Sequence, residues 1–475
     1  MNLSLFLPEL TAVGVILIFL VREALRKNGS DVAQGSYSLP ALCGTVLVFL
    51  ALLCTAGTHG AAFGNTFILD PLAFFFKIFF TLSAFVILAM SGEFFRNRPE
   101  KSAEFFLILW CTLIGLFFLA SANDLLLLFV ALEVVTLSFY ILTAYLKHDL
   151  LSIEASVKYL ILGSLASAFT VYGISMLYVA TGTTSLSGLN QAFAAGATGP
   201  LVLGGILFIL SGLGFKVASV PFQLWTPDVY EGAPTPTVAF LAVGSKAAGF
   251  AILIRLIFSA FLPLEPHRVM LFSVLAAMTL CYGNLGALLQ TNVKRLFGYS
   301  SIGHAGYLLI GLAAGKAEGI TATLYYLIAF ALSNLAAFFV ISIVGESSGG
   351  HQLDHFKGLA RRSPFLAGVF FISLLSLAGV PPLAGFFGKF LILLAAVRGS
   401  LGWLALLGLI FVAVSLYFYL SIVRAMYIDA PARTEKIPVA LSVKLLLTAL
   451  VAGIIVAGLW QAPFLHWAQV AASSL

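Results

Sequence analysis

The feature that most constrains this chain is a repeat of length. Nearly uninterrupted apolar runs of about 18 to 25 residues recur, from LSLFLPELTAVGVILIFLV at the start to LSVKLLLTALVAGIIVAGLW near the end. At 1.5 Å per residue, about 20 apolar residues cross the roughly 30 Å hydrocarbon core of a bilayer. A barrel strand would instead alternate over about ten residues. The runs therefore predict an all-α polytopic membrane protein, because a helix satisfies its own backbone groups where lipid cannot. Surface chemistry agrees. A soluble domain carries about 25% charged residues, whereas this chain has 9% charged and 61% hydrophobic residues. That excludes a soluble enzyme, a nucleic-acid binder and a secreted disulfide scaffold, and leaves the lipid bilayer as the expected surrounding. The four cysteines, Cys43, Cys54, Cys111 and Cys281, sit in apolar runs without a CxxC pair. They read as small buried core residues rather than ligands. MNLSLFLPEL has no basic segment, so no cleaved signal is expected.

The runs resolve into about fourteen spans. Loops after odd-numbered spans hold Arg22, Arg26, Lys27, Arg96, Arg98, Lys101, Lys147, Lys294, Arg295, Lys357, Arg361, Arg362, Arg424, Arg433 and Lys436. Loops after even-numbered spans hold only Arg268, Lys316 and Arg398. Cytoplasmic loops concentrate Lys and Arg, so the odd loops are cytoplasmic and both termini are expected on the periplasmic side of a bacterial inner membrane. Two spans are irregular. The seventh runs into Pro221 and Pro227; the twelfth carries Gly379-Val380-Pro381-Pro382 near its middle. Proline removes a helix donor and clashes with the preceding turn, and broken helices survive in membranes only inside protein or beside water. Two breaks five spans apart suggest inverted five-helix repeats, since five is odd. The expected divisions are three spans over 1–103, a first repeat over 104–261, a second over 262–430, and a last span within 431–475.

Most charges lie within a turn of a span end, where long side chains snorkel. Glu133 lies nine residues into span 5, roughly 13 Å deep. Lys216 adjoins the break in span 7, Lys246 lies nine residues into span 8, and Lys389 follows the break in span 12. Lys77 and Lys158 are shallower and read as paired or snorkelled. A charge at the bilayer centre costs about 2.5–3.5 kcal/mol on insertion scales, so the four deep groups need a reason. Glu133 can neutralise only one of three lysines. Burial favours the neutral amine and a nearby carboxylate favours the ammonium. A lysine held between the two can exchange a proton at neutral pH, as a relay requires. His304, inside span 10, is either a second relay group or a hydrogen-bonded structural histidine. His351 and His355 read as solvated loop residues. Neither GxGxxG nor GxxxxGK[ST] occurs, so the chain itself is not expected to bind NAD or ATP.

Three stretches carry a resemblance. PFQLWTPDVYEGAPTPTVAFLAVGSKAAGF (Pro221 to Phe250), VKRLFGYSSIGHAGY (Val293 to Tyr307) and GVPPLAGFFGKF (Gly379 to Phe390) resemble motifs of the proton-translocating antiporter-like subunits of respiratory complex I, NADH:quinone oxidoreductase. The run Trp225 to Pro236 is most similar to the N branch of that family. The resemblance covers essentially the whole chain. It implies a membrane subunit moving protons through a lysine, glutamate and water relay, driven by redox chemistry elsewhere. Flavin, iron–sulfur clusters and quinone would belong to other subunits, and other antiporter-like membrane subunits would be partners. Carried over position by position, Glu133 would tune its lysine partner, Lys216 would load a proton, Lys246 would connect, Lys389 would be terminal, and Lys158 would be a further relay lysine. Other branches carry a glutamate in the broken span 12 or a relay histidine in span 11. Here Lys389 stands in the first place, and YYLIAFALSNLAAFFV has no histidine, with Ser333 and Asn334 as polar groups. The alternatives are a subunit of a multi-subunit sodium/proton antiporter, or a solute carrier or flippase.

Overall fold

The computed structural model describes residues 3–25, 37–96, 102–430 and 435–475. Arg26, Lys27, Arg98, Lys101 and Arg433, which contribute to the orientation argument, lie outside the described residues. In chain order, α1 is Leu7–Ala24 and α2 Ser38–Cys54, followed by a hairpin of β1 (Gly60–Ala62) and β2 (Phe67–Leu69). Next come α3 (Pro71–Phe94), α4 (Ala103–Ala120), α5 (Leu125–Thr143), α6 (Leu150–Thr181), α7 (Leu186–Ala194) and α8 (Pro200–Val217). Then α9 (Trp225–Gly232), α10 (Thr235–Phe240), α11 (Lys246–Arg255), α12 (Glu265–Ala287), α13 (Val293–Ala314) and α14 (Lys316–Ser348) follow. The chain closes with α15 (Leu359–Arg362), α16 (Pro364–Ala378), α17 (Ala384–Arg398), α18 (Gly402–Tyr427), α19 (Leu441–Leu459) and α20 (Ala462–Ala472).

The fold is an all-α membrane architecture. Among the described residues, 12 helices are long and apolar enough to cross a bilayer, and Ser38–Cys54 and Pro364–Ala378 are shorter apolar helices. The small antiparallel hairpin, with Gly60 opposite Leu69, is the one sheet described. Its three-residue strands are too short for a period-two pattern to show in the sequence.

Several helices begin where an acidic or amide side chain accepts from a backbone N–H that the first turn leaves free. Asp70 accepts from Ala73 at 2.7 Å, Asp124 from Leu126 at 2.8 Å and Asn292 from Arg295 at 3.2 Å. Both expected breaks are present. After α8 the backbone leaves the helix, and Pro221 stands where Val217 would find its i+4 donor. After α16, Gly379 takes the left-handed conformation (φ 90°), and Pro381 and Pro382 replace the donors that Leu377 and Ala378 need.

Two compact units divide the chain. The first comprises Met1–Lys216, Gly244–Leu264 and Ser474–Leu475, and the second Val217–Val243 and Glu265–Ser473. In the first unit, α3 packs between α2 and α4 and buries Phe75, Phe76 and Phe80. Gly173 of α6 and Gly205 of α8 meet backbone to backbone, and a Cβ on Gly205 would lie 3.0 Å from the Gly173 carbonyl oxygen. Small residues at such crossings let membrane helices approach closely enough for dispersion to hold them. In the second unit, α12 packs along α13 through Gly283, Gly303 and Gly306, and α14 packs on α16, α17 and α19. The cysteines correct an expectation: Cys43 and Cys54 lie on the exposed face of α2, and Cys111 and Cys281 are only partly buried. A thiol on a lipid-facing surface is as well solvated as one in a core, so composition could not separate the two.

Candidate functional site

In the first unit, Lys216 sits one residue before the end of α8 and is 4% exposed. Its Nζ donates to the Thr136 hydroxyl of α5. Glu133, one turn earlier on α5, acts on Lys216 through its field rather than by a direct ion pair. Its carboxylate accepts from the Ser167 hydroxyl of α6 at 2.5 Å and is partly exposed. The expected Glu133–Lys216 pair is therefore a three-helix arrangement in which a neutral hydroxyl touches the ammonium. Thr136 escaped the sequence reading because a lone threonine in an apolar helix carries no signal. Its i+3 spacing from Glu133 places it on an adjoining face.

Lys246 opens α11 directly after a π-helical turn at Leu241–Ser245, and a second π turn, Leu256–Ala260, ends the span. Such turns widen the backbone ladder and recur at functional positions. Lys246 is 2% exposed, within a span whose apolar window is buried throughout. Lys158 is different. It lies on an exposed face of α6, paired with Glu154 at 2.7 Å, with side chains 42% and 60% exposed.

Lys77, read as paired or snorkelled, is paired. It is fully buried and pairs with Glu9 of α1 at 2.6 Å, with its Nζ 4.8 Å from the Phe67 ring centre. Nearby, Arg255 holds Asp70 at 2.8 and 3.0 Å and also donates to the Ala120 carbonyl. Glu9 and Asp70 carry no signal of this role in the sequence, because depth counted along one helix says nothing about which neighbouring helix supplies a partner.

In the second unit, Lys389 lies one turn inside α17 and is 3% exposed. Its Nζ donates to the Ala378 carbonyl at 3.0 Å and to the Ser415 hydroxyl at 3.4 Å, and lies 4.9 Å from the Tyr307 ring centre. The Ala378 carbonyl is one that Pro382 leaves without a helical donor, so the break itself makes the lysine's seat. His304 of α13 is 4% exposed, with Nδ1 2.6 Å from the Tyr326 hydroxyl and Nε2 3.0 Å from the Tyr419 hydroxyl. Tyr419 also bonds Ser300. Span 11, which has no histidine, thus supplies Tyr326.

The start of α13 carries a polar cluster in the same unit. Arg295 binds Asp228 at 2.7 Å and Glu231 at 2.9 Å, and Lys294 donates to the Ala233 carbonyl at 2.6 Å. His351 is not the solvated loop residue expected. It is partly buried, its Nε2 lies 3.4 Å from the Thr235 hydroxyl, and its carbonyl accepts from the Val293 N–H at 2.8 Å. Burial first, then the charges of Lys294 and His355, pushes its imidazole down to about 3.

The family described as NADH:quinone oxidoreductase/Mrp antiporter, TM, matches residues 122–415. A NADH-quinone oxidoreductase subunit N from Moorella thermoacetica is 39% identical over 435 residues, covering 88% of this chain and 91% of that one. A chain of respiratory complex I from Thermus thermophilus superposes with a TM-score of 0.81 at 32% identity, covering 98% of each. A chain of the Mrp complex from Dietzia sp. superposes at 0.88 with 21% identity over 100% of this chain and 98% of that one, a likeness of fold. By family match and by full-length identity, the chain belongs to the NADH:quinone oxidoreductase/Mrp antiporter transmembrane family, among its NADH-quinone oxidoreductase subunit N members.

Proposed function

We propose that the chain is a proton-translocating membrane subunit of an NADH:quinone oxidoreductase. It moves protons through lysines, a glutamate and water, driven by redox chemistry on other subunits that carry flavin, iron–sulfur clusters and quinone. Glu133, Lys216 and Lys246 serve as one segment of the relay, and His304 and Lys389 as another. Lys158 is a further relay lysine, with a side chain 42% exposed and paired with Glu154 at 2.7 Å. The observation that carries this reading is the seating of Lys216 and Lys389. Both are buried in apolar helices, yet hydroxyls and a carbonyl hold them rather than a carboxylate. Neutral partners bind an ammonium but do not lock it as a fixed counter-charge would, so proton release stays accessible. The names of the relatives support the NADH-linked complex over the sodium/proton alternative. We read 104–261 and 262–430 as inverted repeats, with the breaks at 218–224 and 379–383 in matching places, and both termini as periplasmic in a bacterial inner membrane.

The test is purification of the native complex carrying this chain, followed by reconstitution into liposomes. NADH oxidation with quinone should acidify one compartment, and an uncoupler should collapse the gradient. Purification without NADH-oxidising partners, together with sodium-dependent proton exchange, would favour the antiporter reading instead.

A further inference from the structure

His304 is held in a way that its structural role does not require. A buried imidazole usually has its tautomer fixed by a carbonyl or carboxylate on one nitrogen. Here the Tyr326 hydroxyl sits 2.6 Å from Nδ1 and the Tyr419 hydroxyl 3.0 Å from Nε2. A hydroxyl donates and accepts equally well, so these two bonds are satisfied in either tautomer. Tyr419 continues to Ser300, one turn before His304 on α13. The line Ser300–Tyr419–His304–Tyr326 thus joins α13, α18 and α14, and every member is nearly or fully buried. On its Tyr326 side, the Tyr326 ring meets Tyr307 at 6.2 Å between centres, and Tyr307 lies under the Lys389 ammonium at 4.9 Å. Gly388, the residue before Lys389, packs directly on the Tyr326 ring, where a Cβ would collide.

We propose that Tyr326 and Tyr419 are relay residues, and that with His304 between them they form a reversible proton wire serving Lys389. This deepens the proton-translocation reading and rests on it. A proton arriving at the Tyr419 oxygen from the Ser300 side releases the Tyr419 hydroxyl proton to Nε2 of His304. The Nδ1 proton then passes to the Tyr326 oxygen, and the former Tyr326 hydroxyl proton passes through water to the neutral Lys389 amine, which becomes the ammonium. One proton enters and one leaves, and no electrons move. The wire ends with its hydrogen bonds reversed and the imidazole in its other tautomer, and rotation of the ring and hydroxyls restores the start. Both directions use the same groups.

The experiment uses the assembled complex in liposomes and reads protons translocated per NADH oxidised. Three variants are compared with wild type and with Lys389→Ala: Tyr326→Phe, Tyr419→Phe and His304→Gln. Phenylalanine keeps the ring packing and removes the hydroxyl. Glutamine keeps an N–H donor group and a carbonyl acceptor, but they sit on different atoms and do not exchange a proton as the two imidazole nitrogens do. All three should assemble, and their ratio should fall to that of Lys389→Ala. Combining His304→Gln with either Phe change should add nothing, because the groups act as one unit. A wild-type ratio in His304→Gln overturns the wire, as does loss of assembly in all three variants, which assigns these groups to structure. A wild-type complex that oxidises NADH without moving protons would instead refute the proposed function, so the two failures are distinguishable.

Discussion

At the scale of single residues, the buried lysines differ in what holds them, and the difference sets their expected behaviour. Lys216 is seated on a hydroxyl, with the Glu133 carboxylate nearby on the same partner helix. Arginine keeps the positive charge but does not deprotonate in proteins. Lys216→Arg should therefore give an assembled complex with impaired NADH-coupled pumping, measured as protons per NADH in liposomes. A wild-type ratio would show that Lys216 acts only as a fixed charge. Lys77 is the contrasting case. Its ion pair with Glu9 is fully buried, and Asp70 and Arg255 add their charges nearby. Removing one member of a buried pair costs about 3–5 kcal/mol, because the other is left uncompensated. Lys77→Met and Glu9→Gln should each lower the thermal unfolding midpoint in detergent, and the double variant should lose less than the two summed. Strict additivity would show that the pair carries no coupling energy. Of the two readings of Lys77, pairing holds and snorkelling does not, because Glu9 of α1 meets its ammonium inside the protein.

At the scale of elements, the breaks after α8 and α16 were legible because each rests on a covalent fact. Proline has no N–H to give the carbonyl four residues before it. What accepts the work of the missing donor was not legible. That the Ala378 carbonyl goes to Lys389, eleven residues on, depends on how α17 folds back after the turn. The segment after α14 behaves similarly. Its histidines read as solvated, yet His351 packs against the start of α13 and the Thr235 hydroxyl. Its folded value, about 3, lies below the ordinary 6.5. The unfolded segment therefore binds more protons than the folded one between those values, and the packing is complete above pH 6.5 and weakens as pH falls toward 3. The Val293 amide should show a lower hydrogen-exchange protection factor at pH 5 than at pH 7, after correction for intrinsic exchange. Equal protection at both values would place the His351 ring outside the packed cluster.

At the scale of the whole molecule, the strongest expectation drawn from loop charge concerns sidedness. Basic residues follow the odd spans, and cytoplasmic loops hold Lys and Arg. A cysteine introduced as Ser474→Cys should react with a membrane-impermeant maleimide in spheroplasts. One introduced as Glu435→Cys should react only in inverted vesicles. Cys43 and Cys54, exposed on an apolar helix, should stay unlabelled in both because lipid covers them. The reverse labelling pattern would invert the topology.

The sequence by itself determined that the chain is a helical membrane protein, which helices break, and which ionisable groups lie far from the ends of their own spans, naming Glu133, Lys216, Lys246, His304 and Lys389. Each of these is fixed by a local quantity: the length of an apolar run, a missing N–H, or the distance of a charge from the end of its own helix. Tertiary structure alone decided the partners. Thr136 for Lys216, Glu9 for Lys77, and Tyr326 and Tyr419 for His304 stand 80, 68, 22 and 115 residues from the groups they bind. Hydroxyls and tyrosines are common in apolar helices, so nothing marks one as a partner until the packing of neighbouring helices brings it within a hydrogen bond. The membrane fixes that every buried charge must find company; the helix packing fixes which company it finds.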